Sequence, residues 1–131
     1  MTKAELKAIQ AMWLLKLSYG IAIIVAGLDK MPFLHLVTQW EKYLNPAILQ
    51  MIAIQPSFFM VIVGIAEIIV GTLILIKTRL GAWLAIIWLA LVIINLFSMK
   101  TYFDIIVRDA LLIVGLLALV WLNRAQADIA S

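Results

Sequence analysis

No cysteine occurs in this chain, which excludes disulfides, thiol relays, thiolate zinc sites and iron–sulfur ligation from it. There is one histidine, His35, and a single imidazole per protomer cannot build a multi-histidine metal site or hold a haem from both faces. Charge is scarce as well: Asp, Glu, Lys and Arg make up 13% of the residues, about half of the roughly 25% of a soluble domain. Hydrocarbon takes the space, at 66% of 131 residues against roughly 45–50% in soluble chains. A soluble globule of this length cannot hide so much apolar surface. The net charge of +3 is a small surplus that loop charges on one side of a membrane explain, so no nucleic-acid partner is expected.

A helix crossing a hydrocarbon layer of about 30 Å needs about 20 residues. Four apolar runs meet that length: Ala8 to Leu28, Ser57 to Ile76, Leu80 to Met99 and Ile105 to Leu122. The third carries no charge, the second only Glu67, the first only Lys16, and the fourth has Arg108 and Asp109 near its start. Each still inserts, because one ionisable group costs about 3 kcal/mol and many apolar neighbours offset it. The expected fold is an all-α, four-helix transmembrane bundle forming one domain over residues 1–131.

Lys77, Thr78 and Arg79 make a short basic hairpin between spans two and three, and Lys100 to Asp104 join spans three and four. The long connection runs from Asp29 to Pro56. Within it Phe33, Leu36, Val37, Trp40, Tyr43 and Leu44 recur at helical spacing, which reads as an amphipathic helix on the membrane surface, closed by Asn45 and Pro46. His35 reads as a residue of this lid. With the N-terminus inside, Lys3, Lys7, Lys77, Arg79 and Arg124 lie on the cytoplasmic side and Lys30, Lys42 and Lys100 outside. The positive-inside rule then places both termini in the cytoplasm of an inner-membrane protein.

The informative residues are those that lipid penalises. At 1.5 Å per residue, Glu67 lies about 15 Å from the outer end of its span and Lys16 about 18 Å from the outer end of its own. Gly64, Glu67 and Gly71 share one face, as do Lys16, Gly20 and Gly27, and small residues let helix backbones pack closely in lipid. This leads to an expected Lys16 to Glu67 pair, either a structural tie or a protonatable group in a pathway. A second group, Asp29, Lys30, Asn95, Asp104, Arg108 and Asp109, comes from three helices to the outer end. It reads either as an ion-pair lattice, with Asp104 and Arg108 paired across one turn and Lys30 snorkelling to the headgroups, or as the polar rim of a small-molecule pocket. Trp40, Tyr43, Tyr102 or Trp88 beside these groups would suit the ring and carbonyl oxygens of a quinone. Trp83 and Trp88 otherwise read as packing residues, and Trp13 and Trp121 as part of an interfacial belt.

The segment KLSYGIAIIVAGLDKM, with Lys16, Gly20, Gly27 and Lys30, resembles the first span of the DoxX-like family of small four-helix membrane proteins. GIAEIIVGTLIL resembles its second span, and FDIIVRDALLIVGLLAL is similar to the Arg-Asp start of the fourth span in one branch. The resemblance covers nearly the whole chain. It implies a four-helix bundle acting as the membrane subunit of a quinone-linked redox or oxidative-stress complex, beside a soluble oxidoreductase. The family's first span carries arginine where this chain has Lys16, and lysine cannot make the same bidentate contact with a carboxylate.

Three functions follow as expectations: the redox subunit, with no catalysis by the isolated chain; a non-catalytic scaffold or assembly factor; and a small solute or proton transporter. No covalently attached or metal-ligated cofactor is expected, and the small-residue faces suit a homo-oligomer.

Overall fold

The computed structural model describes residues 1–31, 44–52 and 56–130. Among them are five helices and no strand: α1 (Lys3–Asp29), α2 (Pro46–Ile52), α3 (Pro56–Ile76), α4 (Thr78–Ser98) and α5 (Phe103–Ala130). Helices α1, α3, α4 and α5 are long and apolar enough to cross a membrane. They alternate in direction round a closed ring, α1 beside α3, α3 beside α4, α4 beside α5 and α5 back beside α1. The chain is an all-α, four-helix integral membrane protein. One end of the bundle, the loop end, carries the connection from 30 to 55 and the α4–α5 turn. The other, the hairpin end, carries Lys77 and both chain ends.

The outward faces show what solvent the bundle is built for. Leu80, Leu84, Ile87, Leu91 and Ile94 repeat at helical spacing along α4 and are all exposed, as are Val107, Leu111 and Val114 on α5. Such stripes would be costly in water and cost nothing in hydrocarbon. A helix that is apolar all round has no amphipathic signal, so which face turns inward is decided by small and polar residues.

Small residues decide it between α1 and α3. A methyl group on Gly27 would stand 2.5 Å from the carbonyl oxygen of Gly64, and one on Gly64 would stand 2.6 Å from that of Gly27. One on Gly71 would stand 2.7 Å from the carbonyl oxygen of Gly20. Two glycine pairs, seven residues apart on each helix, thus bring the backbones into contact and fix the register.

The turns are tighter than expected. Only Lys77 separates α3 from α4, and Thr78 and Arg79 already belong to α4. Thr78 donates its hydroxyl to the carbonyl oxygen of Ile74 at 2.8 Å, and a side chain on Gly81 would strike the backbone of Leu73 and Ile74. Residues 99–102 join α4 to α5, with Lys100 (φ 55°) and Tyr102 (φ 59°) both in the left-handed region, while Asp104 lies in the first turn of α5. At the N-terminus Thr2 and Glu5 form a reciprocal capping box, with bonds of 3.1 and 3.3 Å. The expected surface helix around Phe33 to Tyr43, with His35, lies outside the described residues. Asn45 and Pro46 stand at the start of a helix, α2. The Asn45 side chain accepts from the Ala47 amide at 2.9 Å, and proline suits the first helical position because it has no amide hydrogen to leave unpaired.

The core is solid in one half only. Toward the hairpin end Met12, Ile74, Ala82, Ala85, Leu116, Leu119 and Val120 form a continuous buried cluster. Toward the loop end the space between the helices stays open.

Candidate functional site

That space is a cavity of about 470 Å3, within the range of roughly 300–1,000 Å3 typical of small-molecule sites. Tyr19, Val70, Ala85 and Leu112 line its deep end, and Leu44, Ile48, Asn95, Ile105 and Arg108 the loop end. Each helix contributes one face: α1 gives Tyr19, Ile23, Ala26 and Lys30, at intervals of four, three and four residues. Trp88 and Asn95, seven residues apart, stand on the same face of α4.

Two charged groups break the apolar wall. The Lys30 ammonium donates to Glu67 Oε2 at 2.7 Å, and both side chains are buried. Trp88 Nε1 donates to the other carboxylate oxygen, Oε1, at 3.2 Å. Glu67 is therefore held by a cation from the end of α1 and an indole from α4. The second group is Arg108, whose Nε and NH2 donate to Asp109 Oδ1 at 3.2 and 3.1 Å. Asp109 is 2% exposed, whereas the Arg108 side chain is 62% exposed, so the pair runs from the cavity to the surface of the bundle. Deeper, the Tyr19 hydroxyl donates to the carbonyl oxygen of Leu112 at 2.9 Å, tying α1 to α5 against Gly115.

The start of α2 is fastened over the loop end. The Asn45 amide donates to Asn95 Oδ1 at 3.0 Å, and Asn45 Nδ2 donates to Ser98 Oγ at 2.9 Å. Leu44 and Ile48 thereby become cavity wall.

Glu67, Lys30, Asn95, Arg108 and Asp109 all line this one cavity. Lys16 does not: its ammonium stands over the Trp13 ring at 4.2 Å, and the expected Lys16 to Glu67 pair gives way to Lys30 with Glu67. The glycine register explains the exchange. Lys16 lies four residues before Gly20 and is level with Leu75, four after Gly71, whereas Glu67 is level with Ile24. That separation of eight residues, about 12 Å, puts Lys16 far below Glu67. Lys30, placed by the same register above Glu67, extends inward instead of snorkelling to the headgroups. Asp29 is buried but lies outside the cavity lining. Asp104 is exposed, and the guanidinium of Arg108 goes to Asp109 rather than to Asp104. Tyr19 and the role of Trp88 as a donor to Glu67 were not foreseen. The spacing of Trp88 from Asn95 and of Tyr19 from Lys30 could have signalled both.

Among the described residues no three His, Cys, Asp or Glu gather as a metal site. Fold and site together define a four-helix integral membrane protein with an internal, largely apolar cavity bearing two ion pairs. No family model, no curated protein and no solved structure matches the chain.

Proposed function

We propose that this protein is a DoxX-like membrane subunit that holds a quinone in the cavity and works with a soluble oxidoreductase. The observation that carries this reading is a cavity of about 470 Å3 with apolar walls and two sets of polar hydrogens, Lys30 and Trp88 gathered on Glu67 and Arg108 on Asp109. A quinone is an apolar ring with carbonyl oxygens at opposite edges, and those donors suit such oxygens. When bound, the quinone supplies two-electron, two-proton carrier chemistry. Glu67 and Asp109 stand beside the donors, placed to accept or return protons, and the apolar wall keeps water from the ring. The positive-inside count supports cytoplasmic termini, which puts the loop end on the outer side. Activity of a C-terminal reporter fusion on the outer side would contradict that orientation.

The deciding experiment is purification in native lipid followed by mass spectrometry of extracted small molecules and of copurifying proteins. The reading expects a quinone and an oxidoreductase, with quinone retention reduced in Trp88→Phe and Asp109→Asn. Recovery of neither from a folded protein would sink it.

A second reading, the scaffold, has its own support: among the described residues every buried side-chain nitrogen and oxygen already has a partner, so the polar groups are satisfied without a ligand. It expects a copurifying partner without quinone, and an Asp109→Asn variant that impairs assembly while leaving electron transfer unchanged.

A further inference from the structure

At the hairpin end α1 and α5 run on past the turn at Lys77, and the step so formed is a shallow pocket of about 640 Å3. Lys16 of α1, Lys77 of the turn and Arg79 in the first turn of α4 supply its charge; Ile76, Leu80 and Trp83 supply its apolar side. Three cations line it and no carboxylate does. The ion pairs found among the described residues, Lys30 with Glu67 and Arg108 with Asp109, leave all three without an anionic partner. Like charges gathered in this way repel one another and favour an anion between them.

The depth of the pocket points to the source of that anion. The glycine register brings Trp13 level with the hairpin. The contact of Tyr19 with Gly115 brings Trp121, six residues beyond Gly115, to within a residue of the same level. Both indoles are exposed, at 44% and 66%, and exposed tryptophans at one level mark the headgroup region of a bilayer. Beside the cations, Ile76 and Leu80 face outward at 69% and 50% exposure. Free phosphate would use only the cations; a phospholipid uses both sides of the pocket.

We propose that this pocket binds an anionic phospholipid. Its phosphate lies between Lys16, Lys77 and Arg79, and its acyl chains run along Ile76, Leu80 and Trp83. Arg79 offers a planar fork that can engage two phosphate oxygens, and the lysines act as point charges.

Native mass spectrometry of the full chain in neutral detergent, titrated with phosphatidylglycerol, tests this. One lipid binds ahead of the rest, and phosphatidylcholine binds more weakly. The Lys77→Ala/Arg79→Ala variant weakens phosphatidylglycerol binding roughly 30-fold, since each cation near an anionic headgroup is worth about fivefold. Lys100→Gln, at the other end, leaves it unchanged. Lys77 and Arg79 are both exposed, so the double variant keeps its fold, which a thermal unfolding curve checks. Equal binding of phosphatidylcholine, or undiminished binding by the double variant, overturns the proposal. Displacement of the lipid by an equal concentration of inorganic phosphate overturns it too, by reducing the pocket to a simple anion site.

Discussion

Replacing Lys30 by Met removes the one ammonium that faces Glu67 at 2.7 Å and leaves the carboxylate with the Trp88 indole alone, at 3.2 Å. The Glu67 side chain is 11% exposed, so bulk water solvates the carboxylate poorly once the cation is gone. Removing one partner of a buried pair costs about 3–5 kcal/mol, whereas replacing both is often close to neutral. Glu67→Gln alone takes the carboxylate from a buried ammonium and should also destabilise, while Lys30→Met/Glu67→Gln keeps an acceptor for Trp88 with no buried charge at this pair. The double variant should therefore be more stable than either single one, with a coupling of at least about 2 kcal/mol, a factor of roughly 30 in the folding equilibrium. Titration of micelles with a denaturing detergent, followed by tryptophan fluorescence, measures all three. Lys16→Met is the control: with only the Trp13 ring beneath it, its loss should cost about 1 kcal/mol or less. A severe Lys16→Met variant beside a mild Lys30→Met one would show that the register of α1 against α3 is wrong.

The same titration separates the two glycine pairs. Gly27→Ala forces its methyl against a backbone oxygen and should cost roughly 1–3 kcal/mol, whereas Gly20→Ala chiefly meets the movable end of Leu75 and should cost less; the reverse order would contradict the close approach at Gly27. Lys100 holds φ at 55°, a conformation costing roughly 1–2 kcal/mol with a β-carbon, so Lys100→Gly should stabilise by up to about 1 kcal/mol after glycine's own entropy loss; a clear loss of stability would refute strain at this turn. Tyr19→Phe removes the bond to Leu112 and should cost about 1 kcal/mol, and an unchanged midpoint would mean the bond is not made in the membrane. Ala26→Leu projects into the cavity and should abolish retention of any quinone while leaving the protein folded; undiminished retention would move the ligand elsewhere.

The transmembrane helices were legible because a bilayer imposes a minimum length, and four apolar runs with no more than two charged residues each met it. The loop-end cluster was legible in part for a related reason: lipid drives Asn95 and Asp109 inward near one end, and Arg108, itself 62% exposed, follows Asp109 as its partner. Register was not legible. Glycine faces on two helices fit together at more than one offset, and starting both spans at a common level placed Lys16 opposite Glu67. The actual offset is set by Gly27 against Gly64 and Gly20 against Gly71, contacts that no periodicity within either helix specifies. Lys30 illustrates the second gap. A lysine at a helix end can run outward to headgroups or back along the bundle, and only the location of its carboxylate decides which.

The distribution of side-chain size bears on what the cavity is for. In the hairpin half, Met12, Leu116 and Leu119 fill the space between the helices; in the loop half the facing positions include Ala22, Ala26, Val63 and Val92. Filling that half would have required nothing more than larger side chains at the same positions. Apolar walls left facing such a space forgo the packing contacts that larger side chains would have made. A scaffold gains nothing from such a space, whereas a protein that takes a lipophilic molecule recovers the lost contacts on binding. The two ion pairs fit the same logic. Held by their own partners, they spare the cavity the cost of unpaired charge, while Lys30, Trp88 and Arg108 keep their hydrogens at its edges, where a carbonyl oxygen can compete for them.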